Sequence, residues 1–390
     1  MLWDYMKAKQ SLRRSISFIL LVLATFFLLW ALFSTNRGEA EIASVEQSIL
    51  EKGALLTITP DLIEQLNLTV DWNLQKYIAV TARKYKVGFT SVVVMDAFSG
   101  DILALYGNDD AGENCALSLD TYLGASTFKL VTAAAALEEC DISPTSVFTY
   151  NGKSNTLYKN QISQITNRWS RKITLARAFA LSNNVVFAKI GLHHLGEGPL
   201  LLTAMKLGFW QPPLREVLCT PSTLSVPDNE YNLAELSSGF NHSTRISPIH
   251  AAQMITAVVN DGTMVTPRII RSDTTDKYQV FSKETAGQLQ SMMARTIRSG
   301  TLSKAFRGYG YDKVLKRLSM GAKSGTIDGT DPEGRYTWFV GYAQDEKIGR
   351  AITIACLVVR QDYFWIEADR YARKVIRHCF SKPFTVATTR

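Results

Sequence analysis

The sequence predicts an α+β domain: one antiparallel five-stranded sheet flanked by helices, an all-helical lobe, and a crevice between them. Three observations predict it. Two apolar segments, 91–96 and 101–106, flank the turn Phe98-Ser99-Gly100 and read as a hairpin. Three more strand-like segments, 320–327, 336–343 and 351–360, follow one another near the C-terminus. Between these groups the pattern is helical. The strands at both ends are therefore expected to pair in one sheet, and the middle helices to form a second lobe.

One transmembrane helix is expected before this domain. Residues 16–33 are apolar apart from Ser17 and Thr25, roughly the length that crosses about 30 Å of hydrocarbon as a helix. Lys7, Lys9, Arg13 and Arg14 precede the run and place the N-terminus inside. The expected organisation is a cytoplasmic tail at 1–15, a signal anchor at 16–33, a juxtamembrane linker at 34–70 and an exported domain at 71–390.

Each element has its own signal. Leu74, Ile78, Ala79 and Ala82 share one face of a helix over 71–87. A helix opened by Ser126 is expected to run to about Cys140, where Asp141 to Pro144 breaks it. Residues 148–165 read as irregular. Helices over 173–181 and 185–195 flank Ser182-Asn183-Asn184. Ser247-Pro248 starts a helix over 249–259, with proline in its first turn. Ala286, Leu289, Met292, Met293 and Ile297 line one face of a helix over 282–298. A terminal helix is expected over 365–379.

Composition narrows the function. The chain has 390 residues, 46% hydrophobic and 20% charged, enough for a sizeable core. The net charge of +8 is spread rather than blocked, so no nucleic-acid partner is expected. It suits an anionic cell-wall or membrane surface. Five cysteines and five histidines show no ligand spacing, so neither a metal nor a cofactor is expected.

Three short motifs carry the chemistry. Ser126-Thr127-Phe128-Lys129 opens a helix, Ser182-Asn183-Asn184 lies between helices, and Lys323-Ser324-Gly325-Thr326 lies on a C-terminal strand. Each is weak alone. In this order and these contexts they resemble the penicillin-binding proteins, serine acyl-transferases of peptidoglycan synthesis whose motif set is S-x-x-K, S-D-N and K-T-G. The resemblance covers about 68–377 and includes the strand hairpin, the Ser247-Pro248 helix start and the run Tyr336 to Tyr342. It implies a β-lactamase/D,D-peptidase-like fold.

The residue chemistry fits that resemblance. Ser126 supplies a nucleophile. Lys129 is one helical turn on, so its amine reaches the Ser126 oxygen. To act as base it must be neutral, and burial or a second cation, Lys323, lowers its pKa. Ser182 relays a proton to the leaving amine, and Asn184 holds the substrate amide and the Lys129 head. The Ser126 backbone N–H is one oxyanion donor; the resemblance makes the Thr326 N–H the other. Lys323, Ser324 and Thr326 would bind a substrate carboxylate, and Gly325 leaves room for the acyl group.

The resemblance thus implies a D,D-transpeptidase acting on stem peptides ending in D-Ala-D-Ala, acylated by β-lactam antibiotics and anchored in a bacterial cytoplasmic membrane with its catalytic domain outside. Glycosyltransferase partners in wall synthesis are implied as well. The chain departs from the family pattern at Gly239-Phe240-Asn241, where a Gly-Gln-Gly element is common, and no large N-terminal pedestal is apparent. A D,D-carboxypeptidase, a class D-like β-lactamase and a penicillin-sensing binding module are the alternatives. Class D enzymes place a valine where Asn184 stands.

Overall fold

The computed structural model describes residues 52–360 and 366–381. The expected tail, the membrane segment 16–33, the linker up to residue 51 and the start of the terminal helix at Trp365 lie outside the described residues. No helix among the described residues is long and apolar enough to cross a membrane.

The strands that frame the site are, in chain order, β1 (Phe89–Asp96), β2 (Ile102–Asp109), β3 (Gly112–Glu113), β4 (Val147–Tyr150), β5 (Arg171–Thr174), β6 (Ser319–Thr330), β7 (Glu333–Asp345) and β8 (Arg350–Arg360). The main sheet runs β6-β7-β8-β1-β2-β3, with every neighbour antiparallel. The two sequence-distant groups join where β1 pairs with β8, Val92 opposite Cys356. The sheet has six strands rather than the expected five. Gly112, at φ +119, folds the chain back so that Glu113 pairs with Asn108. A two-residue strand is too short to show a period of two, so its sequence reads as loop.

Helices cover both faces. They are α1 (Trp72–Lys84), α2 (Lys129–Glu139), α3 (Leu175–Ala180), α4 (Asn184–Ile190), α5 (Glu230–Ser238), α6 (Pro248–Val259), α7 (Lys283–Ser299) and α8 (Ala368–Ser381). Alternation along each strand sorts the core into two layers. Tyr336, Trp338, Val340 and Tyr342 of β7 join the layer that holds α2, α6 and α7. Phe339 and Ala343 point the other way, into the layer with α1 and α8. Because both faces are covered, the central strands are apolar almost throughout. Val92 to Met95 are all fully buried. Leu55, Ile58, Leu68 and Val70, from the expected linker, also join the first layer.

Local chemistry sets the boundaries. The Ser247 hydroxyl accepts the His250 N–H at 3.3 Å and caps α6, with Pro248 at its first position. Two expectations are corrected. The start of the stretch read as irregular, 148–165, forms a ribbon with residues that follow it, β4 paired with β5, Phe148 opposite Ile173. That pairing moves the start of the next helix from 173 to Leu175. The helix opened by Ser126 starts as a tight 3-10 turn, Ala125–Phe128, and becomes α-helical only at Lys129. No disulfide forms among the described residues.

Candidate active site

A cleft of about 770 Å³ brings the three motifs together, lined by Ser126, Ser182 and Asn184, Ser324 to Thr326, and Gly239. Each motif arrives by a different device. Ser126 sits in the turn before α2, with Ala125 at φ +48, a left-handed conformation uncommon outside glycine. Ser182 also takes a left-handed conformation, φ +56, between α3 and α4. Asn183 then caps α4, its Oδ1 accepting the Val186 N–H at 3.1 Å, so Asn184 enters the helix facing Lys129. Lys323 and Gly325 lie on β6, an edge strand of the sheet. A Cβ on Gly325 would stand 3.2 Å from both Ala125 Cβ and Thr127 Cγ2, so glycine lets the strand approach the serine turn.

Hydrogen bonds divide the site into two groups. Lys129 Nζ lies 2.8 Å from Ser126 Oγ and 2.8 Å from Asn184 Oδ1, and also meets the Ser238 carbonyl. Lys323 Nζ donates to Ser182 Oγ at 2.9 Å and to its neighbour's carbonyl, Ser324 O, at 2.7 Å. Ser324 Oγ is 2.6 Å from Thr301 Oγ1. The expected contacts Ser126–Lys129 and Lys129–Asn184 are therefore present. Ser182 is joined to Lys323.

Both lysines are held below their ordinary pKa. Lys129 is fully buried, and its pKa falls well below the usual lysine range, first through burial and then through the charge of Lys323. Burial brings Lys323 down to about 7. Among the described residues neither amine has a carboxylate ion-pair partner. The Phe187 ring lies 5.8 Å from Lys129 Nζ, and Phe179 lies 5.7 Å from Lys323 Nζ. Such ring contacts favour a cation by about 0.5–2 kcal/mol, less than the several kcal/mol that an unpaired buried ion costs. Burial wins, so the neutral form of Lys129 is favoured. The expectation that Lys323 keeps it neutral is sharpened: Lys323 is the second cause and burial the first.

A neutral amine fits these contacts. It has two hydrogens and one lone pair, whereas an ammonium has three donors and no acceptor. The Ser238 carbonyl can only accept. Asn184 also offers its oxygen, because its Nδ2 is turned away to donate to the Asn155 carbonyl at 3.2 Å. The two amine hydrogens therefore go to Asn184 and Ser238. The lone pair is left for the Ser126 hydroxyl, the only one of the three partners that can donate. This is the arrangement of a hydroxyl activated by a base.

Two participants have no motif. Ser238 contributes a main-chain carbonyl, which any residue would supply, so nothing in the sequence marks it. Thr301 follows the end of α7 at no distinctive spacing. Gly239, the first residue of the departure Gly239-Phe240-Asn241, does carry a signal. It ends α5 at φ +61, and a Cβ there would stand 2.2 Å from the Ala125 carbonyl oxygen. The turn that presents Ser126 rests on this glycine.

Comparison with known proteins places this geometry. Residues 90–374 match the family model described as the penicillin binding protein transpeptidase domain. Penicillin-binding protein 3 of Bacillus subtilis (strain 168) is 24% identical over 241 residues, covering 58% of this chain and 35% of the relative. Among solved structures, the D,D-transpeptidase domain of a peptidoglycan glycosyltransferase from Eggerthella lenta superposes with a TM-score of 0.65 at 22% identity, covering 84% of this chain and 89% of that one. Penicillin-binding protein A from M. tuberculosis, as its ceftriaxone acyl-enzyme complex, gives a TM-score of 0.60 at 19% identity, covering 81% and 79%. These two likenesses establish the fold. The chain spans about half or less of the length of the curated relatives it matches, 35% to 50% for three of them. With the fold, the motif order and the match over residues 90–374 in agreement, the chain belongs to the penicillin-binding protein transpeptidase family.

Proposed function

We propose that this chain is a membrane-anchored serine D,D-transpeptidase that cross-links peptidoglycan stem peptides through an acyl-enzyme on Ser126. The observation that carries the reading is the buried Lys129 amine, 2.8 Å from Ser126 Oγ. In the acylation step Ser126 Oγ attacks the carbonyl between the two terminal D-Ala residues, and its proton passes to Lys129. Backbone N–H groups of Ser126 and Thr326 hold the oxyanion; one such donor typically lowers the barrier by about 3 kcal/mol. The terminal D-Ala leaves as an amine, protonated through Ser182. Lys323, Ser324 and Thr326 hold its carboxylate, and Asn184 orients the substrate amide. An amine of a second stem peptide then attacks the acyl-enzyme, forming the cross-link and releasing Ser126.

The remaining parts of the reading rest on the sequence. The apolar run at 16–33 with basic residues before it supports a single-pass anchor in a bacterial cytoplasmic membrane, with the catalytic domain on the outer side. β-Lactams would acylate Ser126 because their strained amide occupies the place of the D-Ala-D-Ala bond. Wall-synthesis partners of the glycosyltransferase class fit the same setting.

Labelling tests the assignment. The full-length chain treated with a fluorescent penicillin should carry one adduct on Ser126, and Ser126→Ala should carry none. Equal label on the two proteins would overturn it, and label lost within seconds would indicate a β-lactamase. A pentapeptide donor offered with an amino acceptor should yield the transfer product; hydrolysis alone would make the enzyme a D,D-carboxypeptidase.

A further inference from the structure

From 142 to 196 the sequence contains no aspartate or glutamate, although the chain has 35 in all. Seven lysines and arginines fall in that stretch. Two are used internally: Arg177 donates to the Ser299 carbonyl at 2.6 Å, and buried Lys189 donates to the Thr149 carbonyl at 3.1 Å. The other five, Lys153, Lys159, Arg168, Arg171 and Lys172, are exposed on the β4–β5 hairpin. Among the described residues none of the five forms an ion pair. The same hairpin exposes Tyr158 at 62% and Trp169 at 71%. Arg168 lies over the Trp169 ring, 4.8 Å from its centre.

Two further observations give this surface a purpose. The hairpin has fixed internal bonds. Ser170 Oγ donates to Asn151 Oδ1 at 2.7 Å, Asn151 Nδ2 donates to the Ile165 carbonyl at 3.0 Å, and Gln161 Nε2 donates to the Asn151 carbonyl at 3.0 Å. It is also bonded to the active site. The Asn184 N–H donates to the Ser154 carbonyl at 2.7 Å, and Asn155 lines the cleft. The hairpin therefore borders the mouth of the cleft at Ser154 and Asn155.

We propose that the β4–β5 hairpin is a docking surface for the carboxylate-bearing glycan–peptide polymer whose stems enter the cleft. The inference rests on the function proposed above and extends it from the scissile bond to the polymer around it. The cations meet the stem carboxylates, and the exposed rings of Trp169 and Tyr158 offer flat apolar faces to the C–H faces of sugars. An anionic bilayer would satisfy the same charges, but lying on this surface it would cover the cleft mouth. The polymer does not have that conflict, because one of its branches has to enter there.

The test uses the full-length chain in nanodiscs of neutral lipid, sedimented with purified insoluble peptidoglycan and, separately, floated with phosphatidylglycerol vesicles. Wild type should sediment with the polymer, less so in about 0.5 M salt, where exposed charges are screened. Combined Arg168→Glu, Arg171→Glu and Lys172→Glu should weaken polymer binding about tenfold or more, with penicillin labelling of Ser126 unchanged. Trp169→Ala alone should weaken it several-fold and covers the case in which the triple variant fails to fold. Polymer binding equal to wild type in the labelling-competent variants would overturn the proposal, and so would wild-type binding to vesicles but not to polymer. Failure of wild type to label with penicillin would instead strike the catalytic reading, with sedimentation still scoring the hairpin.

Discussion

Lys129→Met should slow acylation of Ser126 by about 10³-fold, the scale lost when a general base is removed from an activated hydroxyl. Methionine keeps the length and apolar character of the side chain and removes only the amine. The Ser126 hydroxyl then has no lone pair to receive its proton, because Asn184 Oδ1 and the Ser238 carbonyl were partners of the amine rather than of the serine. Those two acceptors lose a donor, which costs about 1–3 kcal/mol for each group left unsatisfied. Relief of the buried amine offsets part of that. The fold should therefore persist, as thermal unfolding would check, while stopped-flow labelling with a fluorescent penicillin reports the loss. Acylation within tenfold of wild type in a folded variant would show that Lys129 is not the base.

The second large effect is expected at a glycine that has no side chain to offer the chemistry. Gly239→Ala would place a methyl 2.2 Å from the Ala125 carbonyl oxygen and 3.2 Å from Ser126 Cα, in a backbone conformation of φ +61. Relief of such backbone contacts pushes Gly239 and the serine turn apart, a shift on the order of 1 Å. A displacement of that size at a reacting atom costs about 10²-fold in rate. Gly198→Ala is the control, since Gly198 has open space around it and ordinary φ. Acylation should fall about a hundredfold in the first variant and stay at wild type in the second. Equal rates in both would mean that Gly239 does not set the position of Ser126.

Much of this architecture was legible because its signals are local. The strand 351–360 announces itself by nearly continuous apolar character, and the observed β8 contains it, as β6 contains the strand expected over 320–327. The S-x-x-K spacing puts Lys129 beside Ser126 by helix geometry alone, and the 2.8 Å contact follows. What the sequence hid depends on groups that side-chain identity does not report. The Ser238 carbonyl at Lys129 is main chain. β3 is two residues long, and β4 and β5 are separated by a polar loop that obscures their pairing. The left-handed φ of Ala125 and Ser182 breaks the usual preference for glycine, so no residue type marks those turns. The balance between burial and Lys323 in neutralising Lys129 also needed the fold, because a sequence shows charge but not solvent exclusion.

That balance also fixes a pH dependence. Lys323, at about 7, loses its proton near neutrality. Its hold on a substrate carboxylate should therefore weaken above that pH, and a carboxylate-free substrate avoids this effect. The most direct measurement is the rate of Ser126 acylation by a carboxylate-free thioester between pH 8 and 11, about the range in which an ordinary lysine titrates. A base already neutral in the folded protein predicts a rate that is flat across that range. A rate rising about tenfold per pH unit toward an ordinary lysine value near 10.5 would mean that Lys129 rests charged, and would contradict the account.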